Sequence, residues 1–183
     1  MNFSNITSKQ NVLSFIYILF LLVLGRLIPH PPNFTPILAA AIIAPYMMDN
    51  KWISLSIPLL AMIITDFFIG FHSSILWVYG AIAISTLLSD YIRRFNKYYL
   101  QLGAMALISS ILFFLITNFS VWLIWDFYPK SFEGLILCYI AGIPFFKNTL
   151  MSTIIYTGLF VVIMDTTKNS IFGISLKKIF IHK

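Results

Sequence analysis

Apolar runs of about 20 residues recur along this chain, and they constrain its fold more than any other feature. A run of that length crosses a bilayer as a helix. In hydrocarbon every backbone N–H and C=O must find an internal partner, which leaves helices and closed barrels. Barrel strands alternate apolar and polar residues. These runs are continuous, so helices are expected. Hydrophobic residues make up 60% of the 183 residues and charged ones 10%, whereas a soluble domain carries about 25% charged residues. The sequence reads as an all-α polytopic membrane protein. Its net charge of +6 sits in loops and tails, so it is not a nucleic-acid footprint. The single cysteine, Cys138, excludes an internal disulfide and any multi-cysteine metal site.

Six transmembrane helices are expected, near 11–28, 34–48, 52–69, 75–92, 99–116 and 148–164, in a single transmembrane domain over 1–183. The first run follows Lys9 as in a signal peptide, but lacks a small-x-small cleavage site and is read as a retained helix. Residues 135–146 form an apolar run too short to cross, interrupted by Gly142 and Pro144. They read as a re-entrant or interfacial segment before the last helix. Residues 165–183 form a basic amphipathic tail suited to the membrane surface.

Six spans put both termini on one side. That side receives Lys9, Lys51, Arg93, Arg94, Lys97, Lys168, Lys177, Lys178 and Lys183; the other receives Arg26, Lys130 and Lys147. Nine against three places the N- and C-termini in the cytoplasm. The unusual polar and aromatic residues then gather on the outer face: Arg26, His30, Asn33, Asp66, His72, Asn118, Trp122, Trp125, Asp126 and Tyr128. Such asymmetry suits a protein that receives a ligand from outside.

The stretch from Arg26 to Pro36 is the least like its surroundings. It holds Pro29, Pro31, Pro32 and Pro36, four of eight prolines. Each fixes φ and pushes the preceding residue toward extended geometry, which makes a stiff hairpin carrying His30 and Asn33. Asp66 lies inside an apolar run, where an acid is a functional candidate. It either contacts a ligand or pairs with Arg26, and the two roles are compatible. His30 and His72 with Asp66 make a conceivable metal set, but no short spacing joins them; the alternative is capping or bonding of backbone carbonyls. Trp122, Trp125, Phe127 and Tyr128 suit a flat ligand or a membrane aromatic belt. Asn118, Trp122 and Asp126 have the spacing of one helical face. Asp90 with Arg93 and Arg94 reads as a local ion pair.

The motif Arg26-x-x-Pro-His-Pro-Pro-Asn-Phe-Thr-Pro resembles that of an uncharacterised family of small bacterial membrane proteins. Further matching stretches are Asp66-Phe67-Phe68-Ile69-Gly70-Phe71-His72, Phe113-Phe114-Leu115-Ile116-Thr117-Asn118-Phe119, Trp122, Tyr128-Pro129, Gly134-Leu135 and Pro144-Phe145-Phe146-Lys147-Asn148. That family is similar to the substrate-binding (S) components of energy-coupling-factor vitamin transporters. The resemblance implies the bacterial inner membrane, a vitamin or precursor bound at the outer face, and toppling of the protein to release it inside. It also implies a transmembrane coupling protein and two cytoplasmic ATPases as partners, although a cobalamin-binding group occurs without a dedicated coupling module. Three departures stand out. The first span has no alanine for an Ala-x-x-x-Ala coupling motif, while Ala40 and Ala44 lie in the second. Met1-Asn2-Phe3 lacks the histidine of the nickel/cobalt type. Cys138 is the only candidate for the cysteine ligand of the cobalamin group.

The expected function is therefore binding of a vitamin-like small molecule for uptake, with His30, Asn33, Asp66, His72, Asn118 and Trp122 at the site and Arg26 as ion-pair or anion partner. No cofactor or resident metal is expected, lipids surround the helices, and nucleic acid is excluded. The chain has no nucleotide-binding motif, so energy comes from another protein or a gradient. An integral membrane enzyme and a membrane assembly protein are the alternatives. Neither H-E-x-x-H nor G-x-S-x-G is present to support the former.

Overall fold

A computed structural model describes residues 8–48, 50–95 and 97–169. They form six helices: α1 (Ser8–Leu27), α2 (Ile37–Met47), α3 (Lys51–Ile69), α4 (Ile75–Ile92), α5 (Tyr98–Ile124) and α6 (Phe132–Asn169). α3, α4, α5 and residues Phe132–Thr166 of α6 are long and apolar enough to cross a membrane. α2 and the Phe15–Leu27 part of α1 are shorter apolar helices. The bounds of α3 and α4 lie within a residue of the apolar runs.

The bundle is built around α2. At 11 residues it is about 16 Å long at 1.5 Å per residue, half of a bilayer's hydrocarbon thickness. Every residue from Ile37 to Pro45 is buried, and α2 touches each of the other five helices. It has no polar face to show to water and no flank left for lipid. Ala39, Ala40, Ala41 and Ala44 let the neighbouring backbones come close. Pro36 starts the helix, and Met48, in extended conformation, ends it. Asn50 then caps α3 by accepting from the Trp52 and Ile53 amides at 2.8 and 3.4 Å. Ser89 of α4 and Ser54 of α3 donate to the Ile42 and Ala44 carbonyls at 2.6 and 3.4 Å. Beside the start of α2, α1 passes so near that a Cβ on Gly25 would stand 2.9 Å from Pro36 Cγ.

The last two helices differ from the expectation. α5 runs on past residue 116 to Ile124, and α6 is one 38-residue helix. Residues 135–146 are therefore not a separate re-entrant segment: they are the first part of α6, continuous with 148–164. Gly142 and Pro144 do not break it. Proline inside a membrane helix forfeits one hydrogen bond and is tolerated. Gly142 is there because α5 crosses α6 at that point, where a Cβ would run into the Asn118 side chain and stand 2.9 Å from the Phe114 ring. Residues 165–169 extend α6, and the rest of the expected tail lies outside the described residues. At the end of the bundle away from the hairpin, Asp90 pairs with Arg93 at 2.9 Å and Arg94 at 3.4 Å, and Tyr99 donates to Asp165 at 2.9 Å.

Candidate functional site

The last turn of α1 brings Arg26 to the foot of the hairpin and turns its guanidinium inward. Nη2 lies 2.6 Å from Asp66 Oδ1, a charge contact rather than an aligned hydrogen bond. Nη1 donates to the Thr65 hydroxyl and, at 3.3 Å, to the Met62 carbonyl. Thr65 accepts because its own proton goes to the Ala61 carbonyl at 2.7 Å. The second Asp66 oxygen accepts from Tyr79 Oη at 2.8 Å. The Asp66 side chain is 1% exposed, a burial that a carboxylate withstands only when paired and hydrogen-bonded. One network thus ties α1, α3 and α4 together.

The hairpin is fixed from both sides. Asn33 sits at φ 62°, a left-handed conformation that asparagine accepts more readily than most residues. The Phe34 amide closes the turn onto the Pro31 carbonyl at 3.0 Å. The two His30 ring nitrogens face backbone carbonyls, Nε2 that of Arg26 at 3.0 Å and Nδ1 that of Pro31 at 2.8 Å. The ring spans the hairpin. Across the bundle, Asn148 donates to the Pro32 carbonyl at 3.0 Å and Ser152 to that of Asn33 at 3.4 Å. Phe34 meets Tyr156 edge-on, with ring centroids 6.0 Å apart.

The opposite wall is the α5–α6 crossing. Asn118 Nδ2 donates to the Phe114 carbonyl at 2.8 Å, and the Cys138 thiol meets the Asn118 carbonyl at 3.4 Å. Beyond the crossing, the Trp122 indole donates to the Pro129 carbonyl at 2.9 Å. Lys130 Nζ reaches the carbonyls of Trp122, Trp125 (2.7 Å) and Leu123 (3.3 Å), a cationic cap on the orphan carbonyls at the C-terminal end of α5. Trp125 stacks on Phe127 with centroids 5.5 Å apart and planes 5° from parallel.

Between these walls lies a cavity of about 640 Å³. Arg26, His30, Asn33, His72 and Asn118 all line it, although 92 positions separate the first from the last. Asp66 and Trp122 do not line it. Asp66 stands behind Arg26, and Trp122 braces the α5–α6 connection. Asp126 falls beyond the end of α5 and is exposed, so the three-residue face expected with Asn118 and Trp122 stops at two. Trp125 and Tyr128 line the cavity as well; the aromatic clustering was their signal. Thr35, Cys138 and Gly142 also contribute; the sequence marked Thr35 only as part of the proline motif, Cys138 only through the resemblance, and Gly142 only as an interruption of an apolar run. Among the described residues no group of three or more His, Cys, Asp or Glu is placed to hold a metal ion. His30 and Asp66 are already engaged as described.

The sequence model of a family of unknown function (DUF6580) matches residues 6–174, nearly the whole chain. The chain belongs to this family. No curated protein and no solved structure matches. The DUF6580 match takes in all six helices, the proline hairpin and every cavity-lining residue.

Proposed function

We propose that this DUF6580 protein is the membrane-embedded binding component of an uptake system for a vitamin-like small molecule. The observation that carries the reading is the cavity under the hairpin. It is large enough for such a molecule, has mostly apolar walls for affinity, and carries a few placed polar groups for orientation. Ile37 and Leu38 at the start of α2 line it, and farther along α2 Ile42 and Ile43 pack against Leu102, Met105 and Ala106. The hairpin end has the fewer positive charges, and it faces outward from the bacterial inner membrane under the positive-inside rule. All six helices belong to the membrane domain, with α2 enclosed by the others and both termini cytoplasmic. In this reading the partners are a transmembrane coupling protein and cytoplasmic ATPases, as the resemblance drawn from the hairpin motif implies.

The test is native mass spectrometry of protein purified in mild detergent, followed by a melting-temperature screen of vitamins and their precursors. A small molecule is expected at one per chain. It is expected to be depleted in His72→Ala, which removes an imidazole from the cavity wall, and in Asp66→Ala, which releases the Arg26 side chain. Absence of any bound molecule together with no shift for any candidate refutes the proposal.

A further inference from the structure

The cavity wall carries one fixed charge, and the protein has already matched it. Arg26 is the one lysine, arginine or acidic residue among the lining residues, and its guanidinium is held by Asp66, Thr65 and the Met62 carbonyl. Among the described residues no carboxylate lines the space to attract a cation: Asp66 is behind Arg26, and the Asp126 side chain is 98% exposed. The His30 ring is turned to two carbonyls of its own hairpin. The residues that line the cavity without a side-chain hydrogen-bond partner among the described residues are Asn33, His72, Trp125 and Tyr128, together with the hydroxyl-bearing Thr35 and Ser74. They offer donors and acceptors, and no fixed charge.

The unpartnered polar groups gather at one end, while Thr117, Asn118 and Thr149 on the helical walls each donate to a carbonyl of their own helix. Asn33, Trp125 and Tyr128 lie on the connections at the hairpin end, as does His72. Deeper in, the wall is Leu38, Met62, Ile82, Phe113 and Phe145. From Val121 down to Phe113 the lining of α5 descends about 12 Å at 1.5 Å per residue. An ion entering this space sheds its water against walls that hold no free counter-charge, which disfavours it strongly.

We propose that the occupant is an amphiphile without net charge. Its polar head, a ring or amide with both donor and acceptor, is held at the hairpin end by Asn33, His72, Trp125 and Tyr128. Its apolar part lies against Leu38, Ile82 and Phe113. The Arg26–Asp66 pair sets this preference: it supplies a rigid wall while withholding the guanidinium from anions. This rests on the uptake reading and narrows its substrate class.

The experiment uses the full chain in mild detergent and probe pairs differing in one charge: biotinamide and biotin, nicotinamide and nicotinate, riboflavin and riboflavin 5′-phosphate. Thiamine serves as a cation. Binding is read by calorimetry and by quenching of tryptophan fluorescence, and any co-purified molecule is identified by native mass spectrometry. The uncharged member of a pair that binds is expected to bind at least tenfold more tightly than its anionic partner. Asp66→Asn frees Arg26 and is expected to shrink that ratio tenfold or more by raising affinity for the anion. Arg26→Gln/Asp66→Asn, with neither charge, is expected to favour the uncharged member again; gel filtration checks folding, and wild type with the double variant decides if Asp66→Asn does not fold. An uncharged co-purified molecule supports the proposal. An anion or cation that copurifies, or that binds wild type as tightly as the uncharged probes, overturns it and leaves the uptake reading standing. No bound molecule and no binding probe removes both.

Discussion

Replacing Arg26 by methionine removes a charge from the best-connected point of the bundle while keeping most of the side chain's volume. What remains is an Asp66 carboxylate 1% exposed, with the Tyr79 hydroxyl as its hydrogen-bond donor. Removing one partner of a buried pair costs about 3–5 kcal/mol, because the other charge stays buried without compensation. Arg26 itself is 14% exposed at the cavity wall, so water reaches the vacated space and the lower end, about 3 kcal/mol, is expected. Arg26→Met/Asp66→Leu removes both charges and is expected to recover stability to within about 1 kcal/mol of wild type, since well-packed apolar replacements of buried pairs are often neutral. Tyr79→Phe alone is expected to cost about 2 kcal/mol, as for a lost hydrogen bond to a charged group. Reversible unfolding in mixed SDS micelles, followed by tryptophan fluorescence, measures all four proteins. The reasoning fails if Arg26→Met loses less than about 1 kcal/mol, or if the double variant is no more stable than the single one.

Three further outcomes follow from the same geometry. Gly142→Ala places a methyl group against Asn118 and Phe114 and is expected to destabilise by about 1–3 kcal/mol through overpacking at the α5–α6 crossing, read in the same unfolding assay. Asn33→Ala is expected to cost about 1 kcal/mol at its left-handed φ, while Asn33→Gly costs less, so melting temperatures rank wild type and Gly above Ala. Lys130→Met exposes the last carbonyls of α5 and is expected to cost about 0.5–1 kcal/mol, with faster hydrogen exchange confined to the last turn of α5 and the connection that follows.

The sequence made the helical class legible, because continuous apolar runs leave a chain in hydrocarbon few choices. It also showed where unusual side chains gather, since Arg26, His30, Asn33, His72 and Asn118 stand at run ends that topology brings to one face. The extents of α5 and α6 were not legible, and the reasons are local. Thr117, Asn118 and Ser120 interrupt the apolar run at residue 116, where the fifth span was expected to end. In the structure each bonds a carbonyl of its own helix, those of Phe113, Phe114 and Thr117, at 2.7, 2.8 and 2.7 Å. Their polarity is absorbed without leaving the helix. Gly142 and Pro144 read as breakers because the sequence does not show that Asn118 lies over Gly142. The split between Arg26 on the cavity wall and Asp66 behind it depends on how α1 and α3 are rotated, which no spacing in a uniformly apolar run encodes.

α2 has a consequence for how the protein is made. A segment of 11 residues is too short to be recognised as a span when it is presented to the insertion machinery alone. Its partner surfaces come from helices on both sides of it in the chain. The short helix is expected to enter the bilayer together with its longer neighbours rather than by itself. The carbonyls and alanines of α2 stay incompletely covered until α5 and α6 arrive. The cavity, whose wall includes Cys138, Gly142, Phe145 and Thr149 of α6, is then complete only when the final helix is in place.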